Sequence, residues 1–338
     1  MMNWLAVMLS GLTGRPSPRR SRGMKALPVA AAIAAPSAAA EPPAKPIVTP
    51  FPAPVLPADL SGPFVEWLQD GSPSRETPIG PRELRALRLL DALLAEPQTP
   101  ADLLPRTPAV VPQLLNLLRQ DDLPLAAITE RITKDVQLTA EVLRLANTAH
   151  YRQRAAHAIS DLTQAVAALG ADGVQRAIAR VVLKPLYEGQ GGRLSARAAP
   201  RLWEHGERKA VLCASLAAQR GLEPFEGYLA GLMHNAGWSI AWRAFDRMDG
   251  GVSTPFSQAF VQQLVLRKDK LFGKAAAAWQ ISASLSALGQ DIVEQGLEPA
   301  RSPLAAALAL ADREATMGVL APIMTVALPE APLLQPAA

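Results

Sequence analysis

Cysteine is almost missing from this chain of 338 residues. Cys213 stands alone, which excludes a disulfide framework and any multi-cysteine zinc module. Histidine is scarce as well. The four present are His150, His157, His205 and His234, so no site needing several imidazoles can draw on residues beyond 234. Aromatics make up only 5% of the chain, while hydrophobic residues reach 49% and lean on Ala and Leu. That balance disfavours a β-sandwich and favours helices. No run of about 18 apolar residues occurs, so no membrane-spanning helix is expected. Segments of alternating strand character and hairpin turns are also lacking.

Charge of one sign is lacking where it would matter most. Residues 1–60 hold six bases and two acids, which accounts for the whole net charge of +4; the rest carries 28 of each sign. A neutral body argues against a nucleic-acid groove, which needs a basic face on the folded domain. The same sixty residues hold eleven of the 31 prolines. Such Ala- and Pro-rich sequence offers little to pack, and residues 1–80 read as a disordered basic tail. Arg19 to Lys25 followed by the apolar stretch Ala26–Ala40 imitates a signal peptide. Pro28 interrupts it and the basic cluster starts well inside the chain, so a cytoplasmic location is expected over secretion.

From Pro81 the texture becomes helical. Leu84, Leu87, Leu90 and Leu94 form a stripe behind a proline at the first turn. Leu138, Val142 and Leu145 mark another helix, with Leu143 on the neighbouring face. Asp172 and Gln175 form a candidate capping box. Arg197 to Arg220 reads as a long helix ended by Gly221, and Pro224, Pro255 and Pro303 each open a further one. The fold class is all-α, with about twelve helices over residues 80–320. An N-terminal bundle at 81–195 packs on a helical half at 196–320. Gly189–Gly192 reads as the hinge between them, and 321–338 as a C-terminal tail.

Three stretches form an ordered set of motifs. The first is Leu104-Pro105 with Pro108 to Pro112 and the leucines at 114, 115 and 118. The second runs Ile132, Asp135, Leu138, Thr139, then Val142-Leu143-Arg144-Leu145-Ala146-Asn147, and continues through Ile159, Leu162 and Leu169-Gly170. The third is Trp203 with His205, followed by Gly231, His234, Asn235 and Gly237. Together, in this order, they resemble the HDOD domain, the HD-related output domain of bacterial signalling proteins. Read from the residues alone, Asp135 and Asn147 are helix caps, Gly170 is a C-cap glycine, and Trp203 is a core or subdomain-contact residue. Cys213, in an apolar stripe, reads as an inert core thiol.

The resemblance also implies where chemistry would sit. A working HD phosphohydrolase holds a divalent metal with a His, a His-Asp pair and a late Asp, and the matching positions are His205, His234, Asn235 and Asp312. Asn235 departs from the pattern, because a neutral amide supplies neither the charge nor the bridging oxygen of Asp. These positions therefore read as a vestigial site with no metal, no cofactor and no catalytic residue. The function implied is a non-catalytic signalling module that binds a partner protein, with a small ligand in the vestigial cleft as a further option. The rival is a residual metal-dependent phosphohydrolase acting on nucleotides or cyclic dinucleotides.

Overall fold

The computed structural model describes residues 59–71, 73–97, 103, 129, 132–133, 136–148, 158–188, 192–298 and 302–326. All of these fall within one unit spanning 56–338. Among them the secondary structure is helical, and the sole pairing of extended backbone is an isolated bridge between Arg75 and Ser257. The all-α class expected from the sequence is the one observed. The expected tail before 59, Leu104–Leu118, Asp135, the Gly189–Gly191 part of the hinge and the segment after 326 lie outside the described residues.

The helices begin where local chemistry starts them. α1 is Ser61–Leu68 and α2 is Pro81–Ala95; at the head of α2, Glu83 reaches back to accept from the Gly80 N–H. α3 is Val136–Ala146. α4, Leu162–Leu183, is capped by Asp161, which accepts from the Gln164 N–H. α5 is Arg193–Gln219 and ends before Gly221, whose φ of 71° suits only a residue without a Cβ. α6 is Pro224–Met233 and α7 is Ala236–Arg247, so only His234 and Asn235 separate them. α8, Gln258–Trp279, is capped by Ser257. α9 is Ala283–Gln295 and α10 is Pro303–Val326, headed by Ser282 and Ser302 respectively.

Several boundaries differ from the sequence reading. Residues 61–68, expected within the tail, instead form α1, which buries Phe64, Val65 and Leu68 in the main core. Its short apolar run carries no period long enough to stand out against the proline-rich text before it. The division at 195/196 falls inside the continuous helix α5. Thr254-Pro255 is a cis peptide in the loop before α8, which starts three residues later at Gln258. The break in α4 comes at Gly170, with φ 65°, so Asp172 lies inside a helical run whose first cap is Asp161. In α2 the buried face is Ala86, Leu87, Leu90 and Leu93, leaving Leu84 exposed. In α3 it is Leu138, Val142 and Ala146; Leu143 and Leu145 are half-buried.

α5 is the spine. α6 and α10 pack along it, α7 lies against both α5 and α8, and α8 pairs with α9. Two glycines set these distances. A Cβ on Gly231 would stand 2.7 Å from the Ala210 Cα, so α6 approaches α5 backbone to backbone. A Cβ on Gly237 would overlap the Lys268 carbonyl oxygen, so α7 meets α8 just as closely. Both approaches draw the junction between α6 and α7 into the interior.

Candidate functional site

That junction holds His234 and Asn235, both fully buried. α5 brings His205 and Lys209 to it, one helical turn apart on the same face. α8 brings Lys268 and Asp269, and α10 brings Asp312 and Thr316. Four positions expected from the sequence, His205, His234, Asn235 and Asp312, therefore converge, drawn from three parts of the chain.

The centre of the cluster is the Lys209 ammonium. Its Nζ donates to Asp312 Oδ1 at 2.6 Å, to Asn235 Oδ1 at 2.7 Å and to His234 Nδ1 at 2.8 Å. An ammonium has three N–H donors, and here each meets one acceptor. The surrounding bonds fix the tautomers. His234 Nδ1 accepts from Lys209, so Nε2 carries the proton and donates to Asp269 Oδ1 at 2.9 Å. Asn235 Nδ2 donates to the Leu202 carbonyl at 2.7 Å and to His205 Nδ1 at 3.1 Å. His205 then donates from Nε2 to Thr316 Oγ1 at 3.1 Å.

A second lysine completes the charge balance. Lys268 Nζ lies 2.7 Å from Asp269 Oδ1 and 3.7 Å from Asp312 Oδ2, over the Trp238 ring. Two ammoniums thus face two carboxylates. Burial pulls Lys209 down to about 8, against the pull of Asp312. Burial acts on Lys268 too, but Asp269 and Asp312 outweigh it and its pKa rises. Burial favours protonation of Asp312, yet Lys209 and then Lys268 hold the carboxyl well below its usual range. Burial, aided by Lys209, pushes His205 well below 6.5, so its ring is neutral, as its accepting Nδ1 requires. Phe64 of α1 closes one side, its ring centre 4.6 Å from that of His205.

These residues do not suit a divalent metal. The lone pairs of His234 Nδ1, Asn235 Oδ1 and Asp312 Oδ1 all point at one ammonium, which sits where a shared cation would be. Both nitrogens of His205 are engaged elsewhere. Zinc-type centres need three or four such donors aimed at one open point. The tethered ammonium supplies one positive charge to that point and has no exchangeable position for water or substrate.

The remaining expected residues serve the frame. Gly231 and Gly237 are the close-approach points described above. Trp203 is half-buried, with the Arg180 guanidinium 5.5 Å from its ring centre and Tyr187 packed beside it. Arg144 is exposed and pairs with Glu141 at 2.8 Å and Glu207 at 3.9 Å. Leu143 offers its carbonyl to Asn147 Nδ2 at 2.8 Å. The Asn147 amide also exchanges two 2.8 Å bonds with the backbone of Ile159, tying the end of α3 to the segment before α4. Cys213 is buried, and burial raises its thiol to about 12.

The sequence reading missed Lys209, Lys268, Asp269 and Thr316. A signal existed for both lysines. Lys209 stands on the buried face of α5 with Leu202, Ala210 and Cys213, and Lys268 interrupts the stripe Val261, Leu264, Leu271, Phe272. A lysine inside an apolar stripe is almost never fully buried unless paired.

The family model of the HDOD domain matches residues 104–292. A curated protein of Treponema pallidum (strain Nichols), described only as uncharacterized, is 25% identical over 174 residues, covering 50% of this chain and 32% of the relative. The chain thus spans about a third of that relative's length. A crystal structure from Shewanella amazonensis SB2B, provisionally described as a metal-dependent phosphohydrolase, has a TM-score of 0.52 at 16% identity. It covers 74% of this chain and 92% of that one. The crystal structure of an HDOD domain protein of unknown function from Geobacter sulfurreducens gives a TM-score of 0.49 at 23% identity, covering 70% of this chain and 80% of that one. At its identity the Shewanella structure shows a shared fold and says nothing of chemistry.

Proposed function

This chain belongs to the HDOD family, and from that premise we propose that it is a non-catalytic signalling module that works by binding a partner protein. The observation that supports this reading most is the position of the Lys209 ammonium. It occupies the point on which His234, Asn235 and Asp312 converge, and it uses the donors that a metal would need.

The arrangement does for the fold what a bound metal does in a metalloenzyme, without its chemistry. One cluster joins α5, the α6–α7 junction, α8 and α10. Asn235 fits this role better than Asp would. Its amide must donate to the Leu202 carbonyl and to neutral His205 while accepting from Lys209. A carboxylate would accept from Lys209 but leave the other two acceptors facing it without a donor.

The deciding experiment is elemental analysis of the purified chain, with phosphodiester and cyclic dinucleotide hydrolysis measured in added manganese. The expected result is far less than one metal per chain and no turnover, in the wild type and in Lys209→Met alike. Stoichiometric metal together with turnover that vanishes in His234→Ala would overturn the reading in favour of a phosphohydrolase.

A further inference from the structure

A separate groove runs between the head of α2 and the loop joining α7 to α8. It has a volume of about 490 Å³ and shares no lining residue with the lysine-filled cluster. Arg75, Arg82 and Arg85 line it together with Thr77, Ser253 and Ser257. All three arginines are exposed, and none pairs with a carboxylate among the described residues. Single exposed arginines without a carboxylate occur elsewhere, as at Arg193 and Arg313, but here three line one groove.

Glu83 also lines the groove, but its oxygens are already committed. Oε1 accepts from the Ser257 N–H at 2.7 Å, and Oε2 accepts from the Gly80 N–H and the Ser257 hydroxyl, both at 2.8 Å. Its carboxylate thus braces the wall and leaves three guanidiniums facing the open space. The wall is also fixed at its other edge. The Arg75 N–H donates to the Phe256 carbonyl at 2.8 Å, and the Gln258 N–H donates to the Arg75 carbonyl at 2.9 Å. Arg82 and Arg85 stand three residues apart on α2, which places them on one face.

We propose that this groove binds a small phosphate-bearing ligand. Guanidinium forks match phosphate oxygens two at a time, and three of them around one space exceed what a single carboxylate would use. The volume lies within the range of small-molecule sites and leaves room for a nucleoside beyond the phosphate. Thr77 and Ser253 supply neutral hydroxyls for that remainder. Ser257 lines the groove and also caps α8, accepting from the Phe260 N–H at 3.2 Å, so a ligand here rests at the head of the helix that carries Lys268 and Asp269.

The test is calorimetric titration of the full chain with ATP, AMP, pyrophosphate and orthophosphate at matched ionic strength. At least one of these is expected to bind, and the double variant Arg82→Gln/Arg85→Gln to weaken it by about tenfold or more. Arg75→Gln alone tests the same site if the double variant folds poorly, and Arg313→Gln on α10 serves as the surface control. A nucleotide that binds more tightly than pyrophosphate marks a nucleotide ligand; the reverse marks free phosphates. Absence of binding by all four compounds, or weakening shared equally by Arg313→Gln, would overturn the proposal.

Discussion

Among the ionic contacts that tie the described helices together, two clusters differ in how much water reaches one basic residue of each. The first is the buried set around Lys209, whose side chain is 0% exposed. The second joins α3, α4 and α5 through Glu141, Arg144, Arg180 and Glu207, with Arg144 50% exposed and Arg180 10%. In the second, water screens the Arg144 pairs, which contribute little individually, while Arg180 is nearly enclosed. In the first, Lys209 is fully enclosed and Asp312 is 23% exposed, and removing Lys209 leaves that carboxylate with only the more distant Lys268. The same residue types therefore meet a dry lysine at the C-terminal helices and a water-exposed arginine, Arg144, on α3.

The largest expected effect comes from cutting into the frame. A fragment starting at Thr77 loses α1 and with it three buried side chains, Phe64, Val65 and Leu68. At about 1.5–3 kcal/mol for each buried side chain, the loss should exceed about 4 kcal/mol. Denaturant unfolding of fragments starting at 59 and at 77 measures it. Equal stability would show that α1 does not hold the His205 side of the cluster.

Next is Lys209→Met, which keeps the length and removes the charge. It leaves Asp312 without its nearest cation, and the expected cost is about 3–5 kcal/mol. The corresponding change at the exposed member of the second cluster, Arg144→Ala, should cost about 0–1 kcal/mol. Urea midpoints of the two variants give the contrast directly, and comparable losses would erase the distinction between the clusters.

Gly237→Ala probes the buried frame without touching charge. The added methyl meets the Lys268 backbone, and overpacking of this kind costs about 1–3 kcal/mol. Thermal melting checks it. An unchanged midpoint would mean that α7 can move off α8 freely.

Acidity sharpens the comparison further. The folded-state pKa of Asp312 lies well below its ordinary 3.8. A lowered carboxyl contributes stability that is fully present above the unfolded value and is lost as pH falls toward the folded one. The gap in stability between wild type and Asp312→Asn should therefore hold from pH 7 down to about 4 and narrow below that. Unfolding curves across this range test it; a gap constant down to pH 2 would mean that Asp312 is not held ionised by the lysines.

Much of the local structure could be read along the chain. Pro81, Pro224 and Pro303 mark helix starts, Gly221 an end and Gly170 a break, because each acts on its own backbone within a turn. The face of α3 was legible only in part: Leu138 and Val142 are buried as expected, whereas Leu145 yields to Ala146. The α3 helix is short, and two faces some hundred degrees apart compete for the same leucines. Of the candidate site, the four positions His205, His234, Asn235 and Asp312 could be found from motif resemblance. Their chemical state could not, since it depends on Lys209 and Lys268, which no motif marked.

By itself, then, the sequence determined the helical class, most of the helix ends and the list of residues that could meet in the cluster. Those features rest on interactions within a few residues, which composition and spacing record. Only the tertiary structure decided that α1 joins the core, that a lysine stands at the centre of the cluster and that Asn235 donates as well as accepts there. Lys209 reaches His234 across 25 positions and Asp312 across 103. Partners so far apart along the chain are chosen by how close helices can approach, here by Gly231 and Gly237, and no local pattern records that.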